Sequence, residues 1–197
     1  MTLAEFLRFE ELSEIRHEYV AGELYAMSGV TRRHNRISGN IFTRLLVAAG
    51  EGPCQPLMVD VMFRVADDTI YYPDVMVTCD GGDDASRVVA DAGLVVEVTS
   101  PSTRRTDRRE KLAAYRRHPS VQAYLIVEQG ERLVERHWRD DAGAWQHETL
   151  TSGAIPIPCP PTALSIDEIY RGVTFDEGDP DEPPSRPALR VREGEPA

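Results

Sequence analysis

The sequence predicts an α/β fold: a mostly β core with one long amphipathic helix before it and a second helix after the central strand. Three observations lead there. Residues 94–98, Leu-Val-Val-Glu-Val, are a nearly continuous apolar run between Gly93 and Ser-Pro-Ser at 100–102, the pattern of a strand covered on both faces. Ile37, Ile41, Leu45 and Ala49 recur every fourth residue with Phe42 and Leu46 beside them, which is helical spacing. Apolar, β-branched runs at 57–65, 71–78, 121–127 and 133–138 are separated by turn residues, as strands are.

Taken in order, Thr2 with Glu5 forms a capping box and predicts a short helix over 3–10. Residues 16–27 read as a hairpin turning at Ala21-Gly22, where glycine accommodates positive φ. The long helix covers 32–49 and Gly50 ends it. Strands 57–65 and 71–78 follow, joined through 66–69 as a hairpin; Pro73 suits a strand start, where its missing N–H breaks no ladder bond. A polar loop at 81–84 precedes the central strand 94–98. Asp107, with Glu110 three residues on, reads as the N-cap of a helix over 107–117 that Pro119 stops. Strands 121–127 and 133–138 are joined around Gly130, 144–149 extends them, and Ser165 with Glu168 caps a last short helix. These elements make one domain, 1–176. Residues 177–197, with Pro180, Pro183, Pro184 and Pro187 among charges, read as a disordered tail.

Composition narrows the function. Hydrophobic content of 41% and charged content of 28% are those of a globular protein. No run reaches transmembrane length, and the N-terminus carries acids early and lacks a signal-peptide core, so the expected location is cytoplasmic. Cys54, Cys79 and Cys159 show neither zinc-ligand spacing nor a disulfide framework and are expected to be incidental thiols. The net charge of −11 runs against a polyanion-binding surface. Locally, however, residues 104–118 carry Arg104, Arg105, Arg108, Arg109, Lys111, Arg116 and Arg117, and Arg32, Arg33 and Arg36 form a second basic cluster.

Two acids are out of character. Glu97 interrupts the apolar central strand and Asp74 opens the run Val75-Met76-Val77. A bare carboxylate in a dry interior costs several kcal/mol unless it meets a cation, a metal or several donors. Lys111 is the only lysine among 22 basic residues, so its place calls for a compact ammonium. A helix returning over its own strand brings the lysine toward Glu97. Two carboxylates and an ammonium fit phosphodiester hydrolysis assisted by Mg²⁺ or Mn²⁺: Asp74 and Glu97 as metal ligands, Lys111 orienting water or stabilising the transition state. His34, near the start of the long helix, and Glu23, on the second hairpin strand, are candidate neighbours of the site. Asp60, which alternates with Met62, is a weaker one.

Pro73-Asp74, E-V-T-S-P-S-T at 97–103 and D-x-x-x-K at 107–111 resemble the Uma family of restriction-endonuclease-like proteins, within the PD-(D/E)XK nuclease superfamily. E-Y-V-A-G-E-L-Y-A-M-S at 18–28 followed by His34, Q-A-Y-L-I-V at 122–127 and D-E-I-Y-R-G-V-T-F at 167–175 extend the resemblance over most of the chain. It implies a restriction-endonuclease-like mixed β-sheet core flanked by helices, with additional β-hairpins, and a metal-dependent endonuclease acting on nucleic acid, DNA first among substrates. The superfamily lysine would fall at Thr99; in this family its role is carried by the following helix, where Lys111 stands. Many such nucleases cut two strands as dimers, which makes a homodimer an option by analogy. The competing expectation is a catalytically inactive module on the same fold that binds nucleic acid or protein, in keeping with the acidic balance and the absent lysine at 99.

Overall fold

The computed structural model describes residues 1–79, 81–100 and 103–175. The Thr2–Glu5 capping box starts α1 (Leu3–Leu12), two residues longer than predicted. β1 (His17–Val20) and β2 (Glu23–Ala26) form the predicted hairpin, with Ala21 at φ 51° and Gly22 at φ 93°, the left-handed pair that a two-residue turn needs. α2 (Arg32–Ala49) is capped by Thr31, whose hydroxyl accepts from the His34 N–H at 3.1 Å. Its Ile37, Ile41 and Leu45 are wholly buried.

The next four strands correct the simple hairpin read at 57–65 and 71–78. They are β3 (Gln55–Met58), β4 (Met62–Ala66), β5 (Thr69–Tyr71) and β6 (Val75–Thr78), and the ribbon bends so that its two halves join different sheets. On one arm the bend is Val59 and Asp60, both with positive φ, a conformation strained for a β-branched residue. On the other it is Tyr72-Pro73-Asp74, where proline interrupts the ladder. Asp60 therefore turns outward and faces Arg16 at 3.6 Å, which corrects the expectation that it neighbours the site.

β7 (Val88–Val89) runs parallel to β4 and completes a five-stranded sheet of order β2-β1-β5-β4-β7. β8 (Leu94–Thr99) is the buried strand expected at 94–98. After it comes α3, residues 104–117: Arg104–Thr106 and Leu112–Arg117 are α-helical, and Asp107–Lys111 is a π-turn. Asp107 is thus not the N-cap. Ser100 and Thr103 exchange backbone-to-hydroxyl hydrogen bonds of 3.0 and 3.2 Å ahead of the helix, and Asp107 lies inside it. β9 (Ala123–Glu128), β10 (Val134–Arg139) and β11 (Trp145–Leu150) follow as a meander. β12 (Ala154–Pro158) and β13 (Pro161–Ser165) make a separate hairpin before α4 (Ile166–Ile169). The tail expected at 177–197 lies outside the described residues.

The main sheet has the order β11-β10-β9-β8-β6-β3; β8 and β9 are parallel and its other pairs antiparallel. Alternation along the central strands divides the core in two. Val75, Val77, Leu94, Val96 and Val98 face α2 and the β12–β13 hairpin. Met76, Val95, Tyr124 and Ile126 face Tyr115 of α3 and, beyond it, Phe63 and Tyr71 of the smaller sheet. Glu97 falls on this second face by the same alternation. The three cysteines also depart from expectation. The Gln55↔Thr78 pairing sets Cys54 opposite Cys79, the two are disulfide-linked, and Cys159 adjoins them. No described helix is long and apolar enough to cross a membrane.

Candidate active site

Three elements deliver the site. The antiparallel β6–β8 register, Val75↔Val96, carries Asp74 to the level of Glu97. Asp74 Oδ2 accepts the Val98 N–H at 2.7 Å, which fixes the carboxylate to the central strand. Its Oδ1 lies 2.8 Å from His34 Nε2, brought in by the first turn of α2. α3 crosses the second face of the sheet and drops Lys111 and Tyr115 onto Glu97: Lys111 Nζ is 3.0 Å and the Tyr115 hydroxyl 2.9 Å from Glu97 Oε1.

Lys111 is the hub. Its ammonium is 2.7 Å from Glu18 Oε1, 3.0 Å from Glu97 Oε1 and 3.7 Å from Asp107 Oδ1, and sits over the Tyr71 ring at 5.2 Å. The structure thus brings Asp74, Glu97, Lys111 and His34 together. It leaves Glu23 out: that residue is exposed beside the hairpin turn, opposite Val20. Glu18 shares its face of the hairpin two residues along β1, and it is Glu18 that reaches the lysine. Two members were missed in the sequence. Glu18 could have been found from alternation, since His17 and Tyr19 are the buried residues of β1 and Glu18 must point the other way. Asp107 was read as a cap because aspartate favours that role; only the earlier start of α3 shows otherwise.

The electrostatics are those of too many carboxylates in too little water. Glu18, Glu97 and Asp107 surround one ammonium, and Asp74 stands level with Glu97. Burial pushes Asp74 up to about 7, although the Val98 N–H and Lys111 oppose the shift. Burial raises Glu97 well above the ordinary carboxylate range; Lys111 opposes this, and Asp107, Asp74 and Glu18 add to it. Burial likewise raises Asp107, opposed by Lys111 and by the Thr103 hydroxyl, and its buried carboxylate oxygens lack a hydrogen bond of good geometry among the described residues. Burial would lower the Lys111 ammonium, but Glu97, Glu18 and Asp107 outweigh it and hold the lysine charged far above neutral pH. His34 is lowered by burial, which favours its uncharged form beside Asp74.

The basic surface is smaller than its arginine count. Arg104 and Arg108 both bind the buried Glu128, Arg108 also donates to Glu135 at 2.7 Å, and Arg116 lies over the Trp145 ring. Arg105, Arg109 and Arg117 remain exposed on α3.

A mixed sheet carrying acids on adjacent strands, with a lysine on the helix that follows, defines a protein of the nuclease-like α/β class. A solved structure described as a "putative nuclease belonging to DUF820" from Anabaena variabilis superposes with a TM-score of 0.70 over 86% of this chain and 97% of its own, at 17% identity, and so shares the fold. The sequence gives the particular family. Residues 3–167 match the Uma2 model, "Putative restriction endonuclease", and the chain belongs to that family. Two Synechocystis proteins are similar to it, both titled uncharacterized. One, slr1290, is 33% identical over 174 residues, 87% of this chain and 92% of its own length. The other, sll1609, is 29% identical over 149 residues, 74% and 84% respectively.

Proposed function

We propose that this protein is an endonuclease that hydrolyses phosphodiester bonds in nucleic acid, DNA being the expected substrate, with Mg²⁺ or Mn²⁺ as cofactor. One observation carries the reading: three carboxylates, Glu18, Glu97 and Asp107, converge on a single ammonium, and Asp74 stands level with Glu97, which leaves an excess of three negative charges when all four are ionised. Family membership and the nuclease-like fold support it.

The residues fit a hard divalent cation. Oxygen ligands are what Mg²⁺ takes, and the raised Asp74 and Glu97 and the unsatisfied Asp107 oxygens mark a place where positive charge is wanted. Asp74 and Glu97 would hold the ion, which when bound supplies an acidified water and stabilises charge on the phosphoryl oxygens. The chain's own groups do the rest. The Val98 N–H and His34 aim Asp74. The Tyr115 hydroxyl and Lys111 fix one oxygen of Glu97. Lys111, held charged between Glu18 and Glu97, orients the attacking water or stabilises the negative charge that builds in the transition state.

The test is cleavage of single-stranded, duplex and branched DNA and RNA with Mg²⁺, Mn²⁺ or EDTA. Wild-type protein should cut only with metal. Asp74→Asn, Glu97→Ala and Lys111→Ala should each lose on the order of 10²–10³-fold or more, and Glu23→Ala should cut normally. Cleavage within tenfold of wild type in Glu97→Ala would remove that residue from the mechanism. Failure of the wild type on every substrate, with no metal binding, would leave the binding-module reading.

A further inference from the structure

A second cluster of ligating side chains lies away from the carboxylates. Cys54 precedes β3, Cys79 follows β6, and Cys159 lies in the turn of the β12–β13 hairpin; their sulfurs all fall within 4.8 Å of one another. The Cys54–Cys79 disulfide joins only two of the three. Cys159 Sγ remains 3.8 Å from Cys54 Sγ and 2.6 Å from Cys79 Sγ. The shorter contact is well inside the roughly 3.5–4.0 Å at which unbonded heavy atoms settle. A disulfide therefore leaves a third sulfur pressed against it, and exchange with Cys159 would only release another of the three as the unbonded thiol. The backbone is built to allow the approach: a Cβ added at Gly93 would lie 2.8 Å from Cys159 Sγ and 3.0 Å from its Cβ, so only glycine admits Cys159 here.

We propose that in the reduced chain Cys54, Cys79 and Cys159 form a thiolate site for Zn²⁺. Tetrahedral zinc with bonds of about 2.3 Å spaces its sulfurs roughly 3.8 Å apart, which is the Cys54–Cys159 separation and would relieve the Cys79 contact. Each thiol gives up a proton on binding. Without a metal, burial pushes the Cys159 thiol up, away from the thiolate. Among the described residues the cluster has three such ligands, so the fourth position falls to water on the side where Cys79 is exposed. Five residues of extended chain, roughly 16 Å, separate Cys79 from Asp74. The ion would clip the β12–β13 hairpin to the β3–β6 edge of the main sheet, and it does not depend on the nuclease reading.

The experiment uses the full chain, purified without chelator under a phosphine reductant, with zinc measured per chain. About one equivalent should survive gel filtration, and replacement with Co²⁺ should give the sulfur-to-cobalt charge-transfer bands of a tetrahedral thiolate site. Cobalt held by Asp74 and Glu97 has no sulfur ligand and gives no such band. Cys159→Ser should weaken zinc binding at least roughly tenfold. To keep the test independent of how that variant folds, alkylation of the reduced wild type is followed by intact mass: added Zn²⁺ should protect all three cysteines together. Absence of the cobalt band, with three thiols that alkylate equally fast with and without Zn²⁺, overturns the proposal. So does a Cys54–Cys79 disulfide that persists under reductant while no zinc binds.

Discussion

Replacing Lys111 with methionine removes one charge and keeps most of the side-chain volume, so its cost reads the electrostatics of the cluster. At 2.7, 3.0 and 3.7 Å from three carboxylate oxygens, each pair is worth about 5 kcal/mol in gross Coulomb energy at an effective dielectric of about 20. Most of that offsets desolvation of the groups. What the substitution measures is the penalty of leaving buried carboxylates without a cation, roughly 3–5 kcal/mol. The penalty depends on pH, and its sign follows from proton counting. Asp74 and Glu97 have folded-state pKa values raised above their unfolded ones, and loss of the ammonium raises them further. Between the ordinary carboxylate range and those raised values the folded state binds more protons than the unfolded state, so stability falls as pH rises. Lys111→Met should therefore be least destabilised near pH 5, where the carboxyls take up protons, and most destabilised near pH 8. The assay is urea denaturation of both proteins at the two pH values, with Lys111→Met/Glu97→Gln as the third arm; the double variant should recover part of the loss at pH 8. A cost below about 1 kcal/mol at pH 8, or a cost equal at both pH values, would refute the argument that the ammonium offsets the buried charge of these acids.

Glu97→Gln alone, in metal-free buffer, should raise the midpoint of thermal unfolding by an amount worth roughly 1–3 kcal/mol, and by more at pH 8 than at pH 5, because burial disfavours the charged form of Glu97 and raises its folded-state value. Differential scanning calorimetry at the two pH values checks this. Adding Mg²⁺ should stabilise the wild type by mass action and leave Asp74→Asn unmoved, which a titration of unfolding temperature against metal concentration reads directly. Arg108→Ala should cost roughly 2–3 kcal/mol at pH 7, since Glu128 is only 2% exposed and keeps Arg104 as its remaining cation. Burial would raise Glu128, but its bonds to Arg108 and Thr99 win and depress it. Its contribution is thus present above the ordinary carboxylate range and lost as pH falls through the depressed value, and the difference between wild type and variant in urea should narrow toward acid.

The parts of the fold that were legible in the sequence are those where one residue pattern has one physical solution. The four-residue spacing of Ile37, Ile41 and Leu45 can only be a helix face, and α2 spans the predicted residues. An apolar run that holds one acid can only be a strand with something to answer that acid. The pairing of Glu97 with Lys111 follows from the tightness of a strand–helix return. What was not legible needed the third dimension. Val59 and Asp60 adopt positive φ without a glycine to announce it, so the bend that sends one ribbon into two sheets is invisible in one dimension. Prolines at 156, 158, 160 and 161 mask β12 and β13, an isolated pair whose unpaired edges tolerate a missing N–H. Glu18 meets Lys111 across 93 positions of chain: alternation along β1 gives the face it points to, but no local pattern encodes the packing of the first hairpin on α3. The cysteines illustrate the same limit: spacings of 25 and 80 residues match no ligand motif, yet the sheet register and a hairpin turn bring the sulfurs together.

The π-turn over Asp107–Lys111 gives the helix an unusual kind of lever. Asp107, Lys111 and Tyr115 are each four residues apart, and in an α-helix of 3.6 residues per turn such a series drifts about 40° per step around the axis. The wider turn slows that drift and keeps the carboxylate, the ammonium and the phenol aligned over Glu97. Deleting one residue from the turn would restore ordinary helical geometry and leave Lys111 and Tyr115 on nearly the same face, because a turn closed by i→i+5 bonds absorbs the extra residue; what shifts is Asp107, brought to three positions from the lysine instead of four. Relatives one position shorter in this helix would then keep the ammonium and the phenol over Glu97 while turning the carboxylate at the start of the turn out of line with them.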